Sequence, residues 1–354
     1  MSMVFDHVTL GQRVLFGSGR AADNLAAEVD RLGAERVMVI AGRSELTVAQ
    51  KITRKIDVAI YHDDVAPHVP IANADRARAV TTEHRIDLLV CIGGGSTTGL
   101  AKAVALTTGL PIVAIPTTYA GSEATNVWGI TESARKTTGV DNSVLPETVI
   151  YDATLTLSLP VNLSAASGLN AVAHCIDSMW APRADPINRA LAGEGIRSLA
   201  AGLPVVKNDP NDLAGREQAL YGAYLSAVAF ASAGSGLHHK VCHVLGGAYN
   251  LPHAETHATV LPYVLAFNAP AAPEAESRIA VAFGSTTAIS GLNTLRDTLN
   301  APRALKDYDL HEDSIPEAVA LILPVVPDSN PRPVNAADLE ELLRAAYTGD
   351  TSAW

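Results

Sequence analysis

Residues 86–102 of the 354-residue chain read IDLLVCIGGGSTTGLAK, and no other stretch constrains the fold as tightly. An apolar run flows directly into three glycines, and a segment of helical periodicity follows at once. A strand that ends in consecutive glycines and hands over to a helix is the βα turn of a parallel sheet. Glycine lets the backbone turn with positive φ and pass close to a ligand. The helix behind it offers unpaired N–H groups and the positive end of its dipole, a ready seat for phosphate. Gly94, Gly95 and Ser96 are the expected contacts, with Ser96 as N-cap and Gly109 as the stop. The spacing matches neither the six-residue dinucleotide fingerprint nor a P-loop, so the turn by itself does not name the ligand.

The neighbouring segments fit the same plan. The first ~150 residues alternate short apolar runs with helical patterns, as a parallel sheet with crossover helices requires. RVMVIAG (36–42) reads as a buried strand after the amphipathic AADNLAAEVDRLG, and LPIVAIPTT (110–118) as another, while ETVIYDATLTLSLP (147–160) closes this half. PTTYAGSEAT (116–125) places Thr117, Thr118 and Ser122 beyond the carboxyl end of a strand, where open α/β sheets bind ligands. AGRSE ends the first of these strands with Arg43, which suits the 2′-phosphate of NADP, while Glu45 can still reach a ribose. After Pro160 the strand signals stop and alanine- and leucine-rich helical stretches take over. Residues 1–158 are therefore assigned to an α/β nucleotide-binding domain with a Rossmann-like parallel sheet, and 159–354 to an all-helical domain. A last helix is expected after Asn335.

That helical half holds the second signal. SGLNAVAHCIDS (167–178) sets Asn170 and His174 one helical turn apart, and GLHHKVCHVLGGAYNLPHAETH carries five of the eleven histidines. His239 and His243 share a helix face, and His253 follows Pro252 in a turn. His238 and His257 read as peripheral members without a distinct role. Composition narrows the partners. A net charge of −11 argues against a nucleic-acid groove or an anionic membrane surface, which leaves a small molecule. No leader opens the chain and no apolar run reaches the ~18 residues of a membrane span. Three scattered cysteines, Cys91, Cys175 and Cys242, read as buried thiols of a reducing compartment, and a cytoplasmic location is expected.

FGSG, VAPHVP, GGGSTTGLAK, IPTTYAGSEAT, VLPETVIYDATLTLSLP, the Asn170/His174 helix and the histidine cluster together resemble the iron-containing (group III) alcohol dehydrogenases over essentially the whole chain. That family is related in fold to glycerol dehydrogenase and dehydroquinate synthase. The resemblance implies an NAD(P) cofactor in a cleft between the two domains, and commonly a dimer. In the family the metal is usually held by an aspartate, a histidine four residues on and two later histidines. The matching positions are Asn170, His174, His239 and His253, and His243 matches a further histidine near the substrate. Asn170 thus replaces the acid, Gly99 replaces the aspartate of GGGSxxD, and PTTYAGSE is one residue short.

These departures resemble a branch that works without bound metal and uses NADH or NADPH to reduce the C=C bond of an unsaturated oxo-dicarboxylate in the breakdown of aromatic compounds. In that branch's terms Gly94, Gly95, Ser96, Thr117, Thr118, Ser122 and Arg43 serve the cofactor. His174, His239, His243 and His253 serve the substrate carboxylates or carbonyl, with His243 or His253 as proton donor. Asn170 supplies hydrogen bonds, and Lys240 or Arg135 adds positive charge. The alternatives are a metal-dependent alcohol or polyol dehydrogenase with Asn170 as a neutral ligand, and a synthase of the dehydroquinate type. The latter is disfavoured because Lys207, Lys240 and Lys306 are the only lysines after residue 160.

Overall fold

The computed structural model describes residues 4–132 and 135–351, and for 135 and 136 the backbone alone. The chain divides into two compact units, one of them Leu10–Leu159. Its strands are β1 (Arg13–Phe16), β2 (Val37–Ile40), β3 (Val58–His62), β4 (Leu88–Gly93), β5 (Ile112–Pro116), β6 (Val127–Glu132), β7 (Arg135–Val140) and β8 (Thr148–Tyr151). Six of them form one parallel sheet in the order β1-β8-β5-β4-β2-β3, and β6 and β7 form a separate antiparallel hairpin. Helices α1 (Ala21–Leu32), α2 (Leu46–Ile52), α3 (Ile71–Glu83) and α4 (Gly95–Thr108) connect the strands.

Every residue of β2, β4, β5 and β8 is buried, which is why these segments read as continuous apolar runs. Alternate side chains enter two cores. Met38, Ile40, Leu89 and Cys91 pack with Leu100 and Val104 of α4, and Val37, Val39, Leu88 and Val90 pack with Leu25 and Val29 of α1. The strands that gave no sequence signal are the short edge strands β1 and β3 and the hairpin; β1, β3 and β6 are mostly half-buried or exposed, with only His62 and Ile130 buried in them. From β2 the chain steps to β3 on one side and then returns to β4 on the other. That reversal opens a crevice beyond the carboxyl ends of β2 and β4, where doubly wound sheets bind ligands.

The second unit runs from Pro160 onward and also takes in the segment before Leu10. Its helices are α5 (Val161–Ser178), α6 (Pro186–Asn208), α7 (Leu213–Ala233), α8 (Leu237–Tyr249), α9 (His253–Asn268), α10 (Pro273–Phe283), α11 (Ala288–Leu299), α12 (Ile315–Ile322) and α13 (Ala336–Thr348). Among the described residues it has no strand. From Ser164 to Ser178 every residue of α5 is buried, with α6, α7 and α9 packed around it. The chain's start joins this unit, against the assignment of residues 1–158 to the sheet domain. His7 Nδ1 lies 2.7 Å from Asp185 Oδ2 and 3.2 Å from Ser232 Oγ. Asp185 also caps α6, accepting from the N–H groups of Ile187 and Asn188 ahead of a proline at N1. All three cysteines are buried and free, and no described helix is long and apolar enough to cross a membrane.

Candidate active site

Two sets of residues fall out of these units. In the sheet unit, α4 starts two residues earlier than Ser96 as N-cap would place it. Gly94, in an extended conformation, is the N-cap, and its carbonyl accepts the N–H groups of Thr97 and Thr98 at 3.1 Å each. Ser96 is already helical, so it offers its N–H and hydroxyl to a ligand instead of capping. Gly93 sits at φ +153°, and a β-carbon there would lie 2.5 Å from Thr97 Oγ1, so the turn needs glycine. Thr118 lies against Gly94 and Ala120 against Gly95, and the N–H of Thr117 donates to the Gly93 carbonyl at 3.0 Å. Ser122 stands further along the same loop, opening a single 3-10 turn. Arg43 lies just past β2 at the switch point, 86% exposed, with Nε 3.3 Å from the carboxylate of Asp63. Glu45 of the same turn receives the Ser44 hydroxyl at 2.7 Å, and Asp63 supplies a second acid from just past the neighbouring strand β3.

Gly99 also has a structural reason. A β-carbon there would stand 2.8 Å from Val69 Cγ2, and Val69 itself is held at φ +51°, unusual for a β-branched residue. A carboxylate at position 99 would collide with Val69.

In the helical unit, α5 carries Asn170 and His174, α8 carries His238, His239 and His243, and α9 begins with His253 and includes His257. His253 is thus the first residue of a helix and not part of a turn. Their rings form one network. His174 stacks on His239 at 4.8 Å between centroids, His239 contacts His257 at 4.8 Å, and His257 contacts His253 at 4.4 Å. His243 and His253 face each other at 6.5 Å. His257, expected at the edge, is the hub and also bonds His238 through its Nδ1 at 2.9 Å. Phe230 closes one side, 4.7 Å from His174 and 4.3 Å from His239. His174, His238, His239 and His257 are buried, whereas His243 and His253 are exposed, so the cluster has a dry floor and a wet mouth. Lys240 is half-buried on the same helix, and the side chain of Arg135 lies outside the described residues.

Asp177 is the member that sequence reading passed over, though it lies three residues beyond His174 on α5. Fully buried, it accepts the N–H of Gly236 at 2.9 Å, the N–H of His239 at 3.2 Å and the Nδ1–H of His239 at 2.8 Å. It thereby takes the place of an N-cap for α8, whose own N-cap residue, Gly236, has no side chain. Burial pushes its carboxyl up to about 7, against the pull of those N–H donors. Burial also drives the His239 imidazole well below its ordinary value, so the contact is a hydrogen bond from a neutral ring. With its proton on Nδ1, His239 presents a bare Nε2 to the cluster. That atom, Asn170 Oδ1 and His174 Nδ1 are buried without a hydrogen-bond partner.

Burial holds the imidazoles of His174 and His238 down to about 3, with a push from His253 on the first and from His174 on the second. His257 is likewise well below the ordinary value. These four favour the neutral ring when folded, so the unfolded chain binds more protons once the pH falls below about 6.5. Stability is complete above that pH and lost as the pH drops toward the folded values. Each histidine contributes roughly 1.4 kcal/mol per pH unit in that window. Asp177, raised above its unfolded value, works in the opposite sense but is one group against four. The expected result is a midpoint of thermal unfolding that falls steeply between pH 6.5 and 5. A flat profile over that range would show that the buried rings do protonate in the folded state.

Comparison with known proteins covers both units. The chain belongs to the iron-containing alcohol dehydrogenase family and is an oxidoreductase. The iron-containing alcohol dehydrogenase model matches residues 11–153, and the model of that family's C-terminal part matches 164–347. Among its relatives, the maleylacetate reductase of Delftia acidovorans is 43% identical over 350 residues, 98% of this chain and 99% of that one. The crystal structure of maleylacetate reductase from Agrobacterium tumefaciens superposes with a TM-score of 0.93 at 39% identity, covering 98% and 99%. That of an iron-containing alcohol dehydrogenase from Corynebacterium glutamicum gives 0.97 at 63% identity, covering 99% and 98%.

Proposed function

We propose that the chain reduces maleylacetate to 3-oxoadipate with NADH or NADPH, in the breakdown of aromatic compounds and without a resident metal. The observation that carries this reading is Asn170. At the position where the family's metal-binding members place an aspartate, one helical turn before His174, stands a buried neutral amide whose oxygen has no hydrogen-bond partner. A dication there would meet an amide and neutral rings, with its nearest known acid spent on the far side of His239. Three imidazoles alone can hold zinc, but buried charge without an anionic donor is costly. His238, His239 and His257 do bring three buried ring nitrogens within 4.8 Å of one another, and it is the missing acid at position 170 that argues against a resident dication. The full-length similarity to maleylacetate reductases supports the substrate and the reaction. A homodimer in the cytoplasm belongs to this reading on the family resemblance.

The chemistry asks for little more than what these residues offer. A nicotinamide cofactor held at the glycine turn would supply the hydride, which is needed at the alkene carbon β to the ketone. The C=C electron pair then moves onto the ketone oxygen as an enolate, and a proton at the α-carbon completes the reduction, consuming one NAD(P)H and one H⁺. The buried rings are neutral, and His239 offers a lone pair, so it accepts a hydrogen bond at the floor. Carboxylate binding and proton delivery fall to His243 and His253 at the mouth, which water can reach and protonate, with Lys240 on the same helix. At the turn, Gly94, Gly95, Ser96, Thr117 and Thr118 would hold the pyrophosphate, and Arg43 with Asp63 would meet the adenosine ribose.

The bare Nε2 of His239, backed by a carboxylate, is how metal-ligating histidines are commonly oriented, and it favours one second reading: a metal-dependent alcohol or polyol dehydrogenase. One assay separates the two, following NADH consumption with maleylacetate and NAD⁺ reduction with short alcohols, each before and after exhaustive chelation. Maleylacetate turnover that survives chelation is expected. Alcohol oxidation without maleylacetate turnover sinks the substrate, and activity lost to chelator and restored by Fe²⁺ or Zn²⁺ sinks the metal-free claim.

A further inference from the structure

Lys102 has no part in the chemistry above, yet it is the most completely tied cation of the sheet unit. It lies on α4 seven residues, or two turns, beyond Gly95, and so on the same face of the helix. Its side chain is fully buried. The ammonium donates to the carbonyls of Ser122 at 2.6 Å, Thr125 at 2.7 Å and Val127 at 2.8 Å, and to the Thr125 hydroxyl at 3.1 Å. Three N–H groups thus meet four acceptors on six consecutive residues. Thr125 Oγ1 completes the knot, donating to the Ser122 carbonyl at 3.1 Å and accepting the N–H of Val127 at 3.3 Å.

A lysine is a costly way to fill a core. Burial drives its amine down to about 7, and leaving such a group buried has to be offset by full hydrogen bonding. What that bonding holds is informative. The loop it grips is the continuation of Thr117, Thr118 and Ala120, the residues that lie against the glycine turn. Between the two ends stands Gly121 at φ +78°, whose carbonyl accepts the N–H of Ala124 at 3.1 Å. The near end of the loop is fixed by the Thr117 N–H on Gly93, and the far end by Lys102.

We propose that Lys102 is a positioning residue for dinucleotide binding: from the second turn of α4 it clamps the Ser122–Val127 loop and so sets the wall that Thr117, Thr118 and Ser122 present to the cofactor. This rests on the reading of the glycine turn as the dinucleotide site. A helix that carries the phosphate seat at its start thereby also carries the tie that holds the opposite wall in register with it. Because the wall contacts the cofactor and not the reducible bond, the clamp acts on cofactor affinity.

The test is NADH binding, measured by quenching of protein fluorescence, together with steady-state kinetics and hydrogen exchange. Lys102→Met is expected to raise the Kd and KM for NADH about tenfold, with kcat lowered less than about threefold. Faster exchange should be confined to amides of residues 119–127. Thr125→Val keeps the ammonium, so a lost charge cannot explain its effect, and about a threefold rise in the NADH Kd is expected from the weakened knot. If Lys102→Met does not fold, Thr125→Val decides. An unchanged NADH Kd in the folded variants, or a loss that falls on kcat with the Kd intact, overturns the proposal alone. A wild-type protein that binds neither NADH nor NADPH overturns the functional reading and this one with it.

Discussion

Replacing His243 and His253 one at a time by asparagine is expected to lower kcat for maleylacetate reduction by about 10²- to 10³-fold in one of the two variants, the usual worth of a positioned general acid. Both side chains are exposed at the mouth of a cluster whose other four rings are buried and neutral. A ring that must pick up a proton from solvent and deliver it to carbon has to stand where water reaches it, and only these two do. Asparagine keeps a polar side chain of similar reach and removes the titrating group. The affected variant should keep its NADH Kd and lose the high-pH limb of its kcat profile, since that limb reports deprotonation of the acid. The other variant should show mainly a raised KM for maleylacetate, as expected of a residue that binds a carboxylate. If both retain kcat within about threefold of the wild type, the proton comes from elsewhere and the assignment fails.

The second large effect is expected from Asn170→Asp. Asn170 is 1% exposed, and its oxygen has no partner, so a carboxylate there would be a buried and unpaired charge. Without a metal this should destabilise the fold by about 3 kcal/mol, or force the new carboxyl to stay protonated. Fe²⁺ or Zn²⁺ would relieve the charge, using the bare Nε2 of His239, so metal retained after dialysis should rise by about 10- to 100-fold in affinity. The same anion would oppose a dicarboxylate, raising the KM for maleylacetate about tenfold. Metal content and KM are read on the same preparation. An unchanged KM with no metal uptake would mean that position 170 is not what separates a cation site from an anion site.

The parallel sheet, the glycine turn at the end of β4 and the helical second half were legible because each is written over neighbouring residues. A strand buried on both faces must be apolar throughout, and a turn at φ +153° must be glycine. The last helix, capped by Asn335 as expected, is equally local. The short edge strands β1 and β3 were invisible because a half-exposed strand of four or five residues has no period long enough to stand out. Ser96 was misread as a cap for a related reason, since a hydroxyl before a helix suits the N-cap whether or not the preceding glycine already fills it.

The histidine cluster divides along the same line. Spacing alone put His174 one turn from Asn170 and His239 one turn from His243, but could not say which rings are dry. Asp177 meets His239 across 62 positions of chain, Lys102 meets its loop across 20 to 25, and His7 meets Asp185 across 178. Helical and strand periodicities carry information over a turn or two, and beyond that range only packing decides which side chains meet. Protonation follows packing as well, because a ring's charge depends on how much water the fold leaves around it. The sequence by itself determined the kind of sheet, the glycine turn at its switch point and the neutral amide one turn before His174. The tertiary structure alone decided that His239 turns its proton to Asp177, that His243 and His253 stand in water, and that a buried lysine ties one wall of the glycine turn to the helix behind it.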